Sequence, residues 1–419
     1  MDRNRIIKEL ENAPKIKRSS IVYQHMKDPA LLRLYYKMKM FPILNSPEII
    51  GSSPTDIFIG RYNYPNIQIG PMLPPEFGDT SILAAPEKWR NLSIENIVEM
   101  RSKLLRGMYQ TKATNVEAGK VEERIRDLAL AEKSTITQID FIKRPFVTIP
   151  LNDEVQPFGL SAKFDDFHID NVASDKRIER SYFDGDAKAG TSILELYERN
   201  VPISKIQQAL SAGLLGLQRK RKFVPTRWSI TAVDDTIAKS NLSEVKDYDV
   251  IDSIHAYYNV ALDNRWLIFF IPGRWQYESV EAWYPKTIWN ESGNDISIYS
   301  SYEGYHGRKK YAEIGGCYYA AKLAVTEKLK SMERQAMVII LREVHEGYSM
   351  PVGVWNVREH VRETLEKEPT ILSSRSELFG YIQSRMEIKN KDWIKNCRML
   401  HDMISQKGIN DYLHEASTG

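Results

Sequence analysis

At 419 residues, 42% hydrophobic and 27% charged, the chain has the composition of a soluble globular protein long enough for one large body or two intimately packed domains. No apolar run approaches the ~20 residues that span a bilayer, the opening MDRNRIIKELENAPKIKR lacks a signal-peptide pattern, and only Cys317 and Cys397 are present, which excludes a disulfide framework or a cysteine-based zinc site. The expectation is a cytoplasmic protein with no membrane contact, whose net charge of +3 permits nucleic-acid contact without requiring it.

Residues 1–40 read as a polar helical lead-in whose apolar face is Leu31, Leu32, Leu34, Tyr35, Tyr36 and Met38. A first region, 41–190, then begins. Ile57–Ile59 and Ile67–Ile69 read as strands on either side of Asn63-Tyr64-Pro65-Asn66, which has turn chemistry, so a hairpin is predicted. Glycines at 51, 60 and 70 allow close backbone approach. Helical spacing of Ile94, Ile97, Val98, Leu104 and Leu105 predicts a helix from Ser93 to about Met108, with Arg101 and Arg106 beside its apolar face. A second helix is predicted over Val116–Ala131 and a strand over Phe141–Pro150. Asn152–Gly190 is polar and weakly patterned, either long surface loops or a boundary.

A second region, 191–405, opens on helical spacing from Ser192 to Leu215 and leads into RKRKFVPTRWSITAVDDTIA, residues 219–238. Thr231 stands three residues before Asp234, the spacing of a capping box, which predicts a helix starting near Ala232. Its N-terminus, with Ser229, Thr231 and Arg227, would suit a phosphate or carboxylate. The plainer reading keeps Thr231 and Asp234 as caps and Trp228 as core. Ile251–Ala261, Asn264–Pro272 and Val280–Ile288 read as three strands of an aromatic-rich antiparallel sheet. A helix after Gly315-Gly316, a strand over Ala336–Arg342, a helix over Val357–Lys367 and helices near Glu377–Ser384 and Asp392–Ser405 complete an α+β body with a mixed or antiparallel sheet surrounded by helices.

The tail, 406–419, is predicted to be flexible and carries the most specific short signal. Gln406-Lys407-Gly408-Ile409-Asn410-Asp411-Tyr412-Leu413 resembles the box with which archaeal and eukaryotic proteins dock onto the sliding clamp PCNA. One helical turn puts Ile409, Tyr412 and Leu413 on one face as an apolar plug, with Gln406 as a hydrogen-bonding anchor. Acid and base candidates are numerous. Asp234, Asp235, Glu303, Glu313, Glu343 and Glu359 could pair for glycosidic or phosphoester chemistry, or could be caps and salt bridges. His306 and His345 lack metal spacing, and there is no P-loop, no G-x-G-x-x-G after a strand and no G-x-S-x-G.

Five stretches together, GSSPTDIFIGRYNYPNIQIGPMLPP with GDT and PEKW after it, KFVPTRWSITAVDD, EIGGCYYAAKLAV, VIILREV and PVGVWNVRE, resemble the archaeal Nre family of DNA repair proteins from about residue 40 to the C-terminus. The resemblance implies an archaeal DNA damage repair factor acting through PCNA. Typical members begin with a cysteine-rich segment that looks like a zinc site, and residues 1–40 here contain no cysteine, so no metal is expected. On the matching positions, Asp56, Arg61, Asp79, Arg227, Ser229, Thr231, Arg342, Trp355 and Arg358 are expected to bind ligand in one polar cleft, with Asp234, Asp235, Glu313 and Glu343 as catalytic carboxylates. Guanidinium for phosphate, aromatic for base and carboxylate for ribose or water would suit a mononucleotide of the nicotinamide type. The alternatives are therefore a nucleotide hydrolase cleaving an N-glycosidic bond, or a DNA-binding scaffold.

Overall fold

The computed structural model describes residues 48–142, 155–170, 172–287, 289–290, 293–348 and 350–405. The lead-in over 1–40, most of the strand expected to end at Pro150, and the tail from Gln406 lie outside them. The described residues form two compact units. The first runs to Ile237 and takes in the segment 350–356; the second comprises Ala238–Tyr348 and the chain from Val357 on. Each unit holds one six-stranded mixed sheet and its own helices, so the fold is α+β as expected.

In the first unit, β1 (Glu48–Ser53), β2 (Ile57–Ile59), β3 (Asn66–Leu73), β4 (Leu105–Lys112), β5 (Thr135–Phe141) and β6 (Ser161–Ile169) lie in the order β1-β5-β6-β4-β3-β2. β4 and β6 run parallel, and the other neighbours are antiparallel. The β2–β3 hairpin forms where the turn chemistry of Asn63 to Asn66 placed it. Its partner β4 corrects the expected helix through Met108: α1 (Ile94–Ser102) ends before Leu105. Leu105 to Lys112 contains Gly107, Tyr109 and Thr111, which fit a pleated surface better than a helix, and β3 and β6 supply the ladder. The stretch 152–190 is likewise more ordered than its polarity implied. β6 buries Ala162, Phe164 and Phe167, while Asp165 and Asp166 on the exposed face blur the alternation.

Glycine is required where β3 meets β4. A Cβ on Gly70 would lie 1.9 Å from the Gly107 carbonyl oxygen, and one on Gly51 would lie 2.1 Å from the Pro74 oxygen. Both distances are far inside van der Waals contact, so backbone and not a flexible side chain would have to move. Helices α2 (Lys120–Leu130), α3 (Lys176–Phe183), α4 (Ala189–Glu198) and α5 (Ile203–Ser211) complete this unit, and α6 (Thr226–Val245) begins in it. The division expected near residue 190 falls within α4.

In the second unit, β7 (Ile254–Ala261), β8 (Asn264–Ile271), β9 (Gln276–Trp283), β10 (Ser297–Glu303), β11 (Met337–Val344) and β12 (Thr370–Leu372) lie in the order β10-β9-β11-β8-β7-β12. Between β8 and β9 lies β11, which pairs antiparallel with β8 and parallel with β9. A strand sixty residues downstream can take that place because the run Trp266–Ile271 is buried on both faces. On one face Leu267, Phe269, Ile339 and Leu341 pack against Leu378, Ile382 and Trp393 from α9 (Arg375–Arg385) and α10 (Asn390–Asn396). On the other, Tyr277 packs at a tilt against Tyr318 of α7 (Gly316–Met332), with centroids 4.8 Å apart. Helices α8 (Trp355–Glu366) and α11 (Arg398–Ser405) complete the described chain. Gly70→Ala should destabilise the first unit by about 1–3 kcal/mol or more, read as a lowered urea midpoint with an unchanged slope.

Candidate functional site

The site grows from the start of α6. Pro225 has no N–H to leave unpaired, and its carbonyl accepts from the amides of Trp228 (2.8 Å) and Ser229 (3.0 Å), so the helix begins at Thr226, six residues before the expected start near Ala232. Thr231 and Asp234 therefore lie inside the helix and not at its N-terminus. Thr226 fixes the helix to the sheet: its Oγ1 accepts from the Ile59 amide at the end of β2, at 2.9 Å. Ser229 turns its hydroxyl back onto the Thr226 carbonyl at 2.9 Å.

Two adjacent cavities flank this helix start. The first is a polar cavity of about 30 Å3 lined by Asp56, Arg101, Gln156, Gln208, Thr226 and Ser229, among others. It has room for about one or two waters. Asp56 accepts from Arg101 Nη1 (2.7 Å) and Gln208 Nε2 (3.1 Å). Arg101 is buried and also donates to the carbonyls of Leu83 (2.6 Å) and Pro157 (2.8 Å). It lies 5.8 Å from the Trp89 ring, which meets Trp355 edge-on at 5.1 Å. Trp355 is thus enclosed in the core and offers no face to a base.

The second cavity has a different character. Its volume is about 110 Å3, and Arg61, Arg106 and Arg227 line it with Phe58, Phe158 and Tyr62. No carboxylate occurs among the described residues that line it. Arg106 on β4 reaches it because strand pairing sets Arg106 opposite Met72 of β3 and Ser161 of β6. Its guanidinium carbon lies 4.0 Å from the Phe58 centroid and 5.6 Å from that of Phe158, and its Nε is buried without a hydrogen-bond partner. Desolvation, with no acidic neighbour to offset it, pulls the Arg106 guanidinium down to about 10, still charged at neutral pH. Arg61 lies 5.4 Å from the Tyr62 ring. Beside the cavity Tyr64 packs on Trp228, with centroids 5.0 Å apart, and both are exposed together with Tyr62. Trp228 is therefore surface and not core.

The remaining expected site residues are distributed over both units. In the first, Asp79 is exposed and caps Ser81, whose hydroxyl and amide hold its carboxyl below the usual range. Asp234 is fully buried and accepts from Gln207 Nε2 at 3.1 Å, while Thr231 and Asp235 are partly exposed on α6. In the second, burial works against ionisation of Glu313, yet bonds from Arg308 and Ser301 hold its carboxyl low. Glu343 is buried and accepts from the amides of Ile388 (2.8 Å) and Glu387 (3.2 Å). Arg342 donates to Asn264 (2.9 Å) and Glu281 (2.8 Å) between Trp266 and Trp283, and Arg358 is buried beside Glu359. Gln406, Ile409, Tyr412 and Leu413 lie outside the described residues.

The structure thus brings Asp56 and Ser229 to one cavity and Arg61 and Arg227 to its neighbour. It adds Arg106, Phe58, Phe158, Tyr62 and Tyr64, which sequence reasoning did not assign to the site. Reading 105–112 as a strand would have turned Arg106 toward them. Arg101→Met takes the charged partner from Asp56 and the side-chain donor from two carbonyls and should cost about 3–5 kcal/mol, whereas the exposed Asp79→Asn should stay within about 0.5 kcal/mol; urea unfolding of the two variants checks both.

Comparison with known proteins places the chain. The family described as Archaeal Nre, N-terminal, matches residues 24–290, and the one described as Archaeal Nre, C-terminal, matches residues 303–412. DNA repair protein NreB of Archaeoglobus fulgidus is 36% identical over 354 residues, covering 84% of this chain and 89% of that protein. DNA repair protein NreA of Haloferax volcanii is 34% identical over 331 residues, 76% of this chain and 78% of that protein. DNA repair protein NreA of Archaeoglobus fulgidus is 30% identical over 365 residues, 87% and 90% of the two. No solved structure matches the chain. With both family segments matched in order and relatives that share most of its length, the chain belongs to the archaeal Nre family.

Proposed function

We propose that this protein is a DNA repair factor that meets DNA through the arginine and aromatic face at the start of α6 and is tethered to the sliding clamp PCNA by Gln406–Leu413. The repair role is supported by the relatives, each of which carries the name DNA repair protein. The observation that carries the DNA contact is the combination of cations and open rings on one face. Tyr62 is 78%, Trp228 44% and Tyr64 37% exposed, beside Arg61, Arg106 and Arg227.

Aromatic faces stack bases whatever their sequence, and guanidinium groups track the phosphates, which is how single strands are held. The clamp tether is supported by the spacing of Gln406, Ile409, Tyr412 and Leu413 alone. Binding is favoured over N-glycosidic hydrolysis because Asp234, Glu313 and Glu343 already serve as acceptors within the fold.

Fluorescence anisotropy with a labelled single-stranded oligonucleotide tests the first half. Trp228→Ala should weaken binding by about tenfold, since one stacked base contributes about 1–3 kcal/mol. Arg61→Ala should weaken it and lower the salt slope by about 0.7. Unchanged affinity in both variants would remove this face from DNA binding. Calorimetry with PCNA tests the second half: the full chain should bind, and a chain ending at Ser405 or carrying Gln406→Ala with Tyr412→Ala should not. Binding that survives truncation would rule out the tail as the tether.

A further inference from the structure

The arginine cavity has features that contact with a continuous strand does not require. At about 110 Å3 it is well below the roughly 300 Å3 that encloses a whole drug-sized ligand, so it takes one compact group of a larger molecule. Its floor is Phe58 and Phe158, with centroids 5.1 Å apart. Over that floor lies Arg106, whose Nε is buried with no partner and whose charge no acidic neighbour offsets. Burying a charged N–H without an acceptor is costly unless an anion answers it.

The chemistry of an anion that would match follows from these groups. A guanidinium fork matches the oxygens of a phosphate or carboxylate, and Arg61 and Arg227, which line the same cavity, add further charge. A planar carboxylate engages one fork; a tetrahedral dianion offers oxygens to several arginines at once. An internal phosphodiester carries one negative charge and must leave the cavity in two directions, whereas a terminal phosphate carries up to two and leaves in one. At the mouth stands Tyr62, 78% exposed, which can stack the attached nucleoside.

We infer that this cavity binds the terminal phosphate monoester of a nucleotide, with its nucleoside stacked on Tyr62. The inference deepens the proposed DNA contact and rests on it, because the natural source is then the end of a DNA strand; a free nucleoside monophosphate presents the same chemistry. Strand-end recognition would direct the protein to nicks and gaps in preference to intact duplex.

The test uses the full chain and three internally labelled oligonucleotides of one sequence, with a 5′-phosphate, a 3′-phosphate or hydroxyls at both ends, followed by competition with a nucleoside monophosphate. One phosphorylated end should bind at least about tenfold more tightly than the hydroxyl form, as expected for charge-assisted hydrogen bonds. Arg106→Gln should reduce that ratio to near one; should this variant not fold, Arg61→Gln at the rim should reduce it in part. Equal affinity for all three strands without displacement by the nucleotide overturns the inference and leaves the DNA contact standing. Displacement by the nucleotide, or a melting temperature raised by it, with no end preference supports the phosphate site and assigns it to free nucleotides. If no oligonucleotide binds but the nucleotide does, the DNA contact falls and the phosphate site stands. Binding of neither overturns both.

Discussion

The first unit depends on one buried guanidinium. Arg101 answers the Asp56 carboxylate and two backbone carbonyls, and it rests beside Trp89. Those partners come from the β1–β2 connection, the turn at 81–84 and the segment around Pro157, three stretches with no ladder between them. A buried charge tolerates few arrangements, because each unsatisfied donor in a low-dielectric interior costs about 1–3 kcal/mol. Arg101 therefore fixes where Asp56 stands. Asp56, bonded also to Gln208, holds α5 near the same point. The start of α6 is then set by Thr226 bonding to Ile59, a residue three positions after Asp56.

The two arginines of this region play opposite parts. Arg101 donates through Nε and Nη1 to a carboxylate and two carbonyls of the fold, which makes it structural. Arg106, five residues on, lies over two phenylalanine rings with no carboxylate beside it, and burial depresses its guanidinium. Same residue type, same neighbourhood, but one is on a helix turned into the core and the other on a strand that lines a cavity. The close approach of Gly70 to Gly107 sets that strand in place beside β3.

In the second unit, buried carboxylates act as anchors for backbone amides. Glu278 of β9 accepts from the amides of Arg398 and Met399 at 2.9 and 2.7 Å, at the start of α11. Glu343 of β11 does the same for Glu387 and Ile388 between α9 and α10. Glu303 pairs with Lys322 at 2.7 Å, both almost wholly buried, and accepts from Trp275. A carboxylate at the end of a strand is a sequence signal for catalysis, but it is equally what a sheet needs to capture the loose N–H groups of a helix laid over it. Partners distant in sequence decide between these roles.

The sequence by itself determined the α+β class, the β2–β3 hairpin, the aromatic strands of the second sheet, most helices and the family blocks. Each of those rests on local periodicity, turn chemistry or residue identity, which are properties of neighbours along the chain. It also singled out Asp56, Arg61, Arg227 and Ser229, because they sit within those blocks. Only the tertiary structure decided that 105–112 is a strand, that β11 lies between β8 and β9, that α6 starts at Thr226, and that Arg106 joins Phe58, Phe158 and Tyr62 around one cavity. In each case the deciding interaction joins residues far apart in sequence: a ladder partner for β4, a buried slot for β11, the Ile59 amide for Thr226, an aromatic floor for Arg106. Such contacts leave no periodic trace in the chain that makes them.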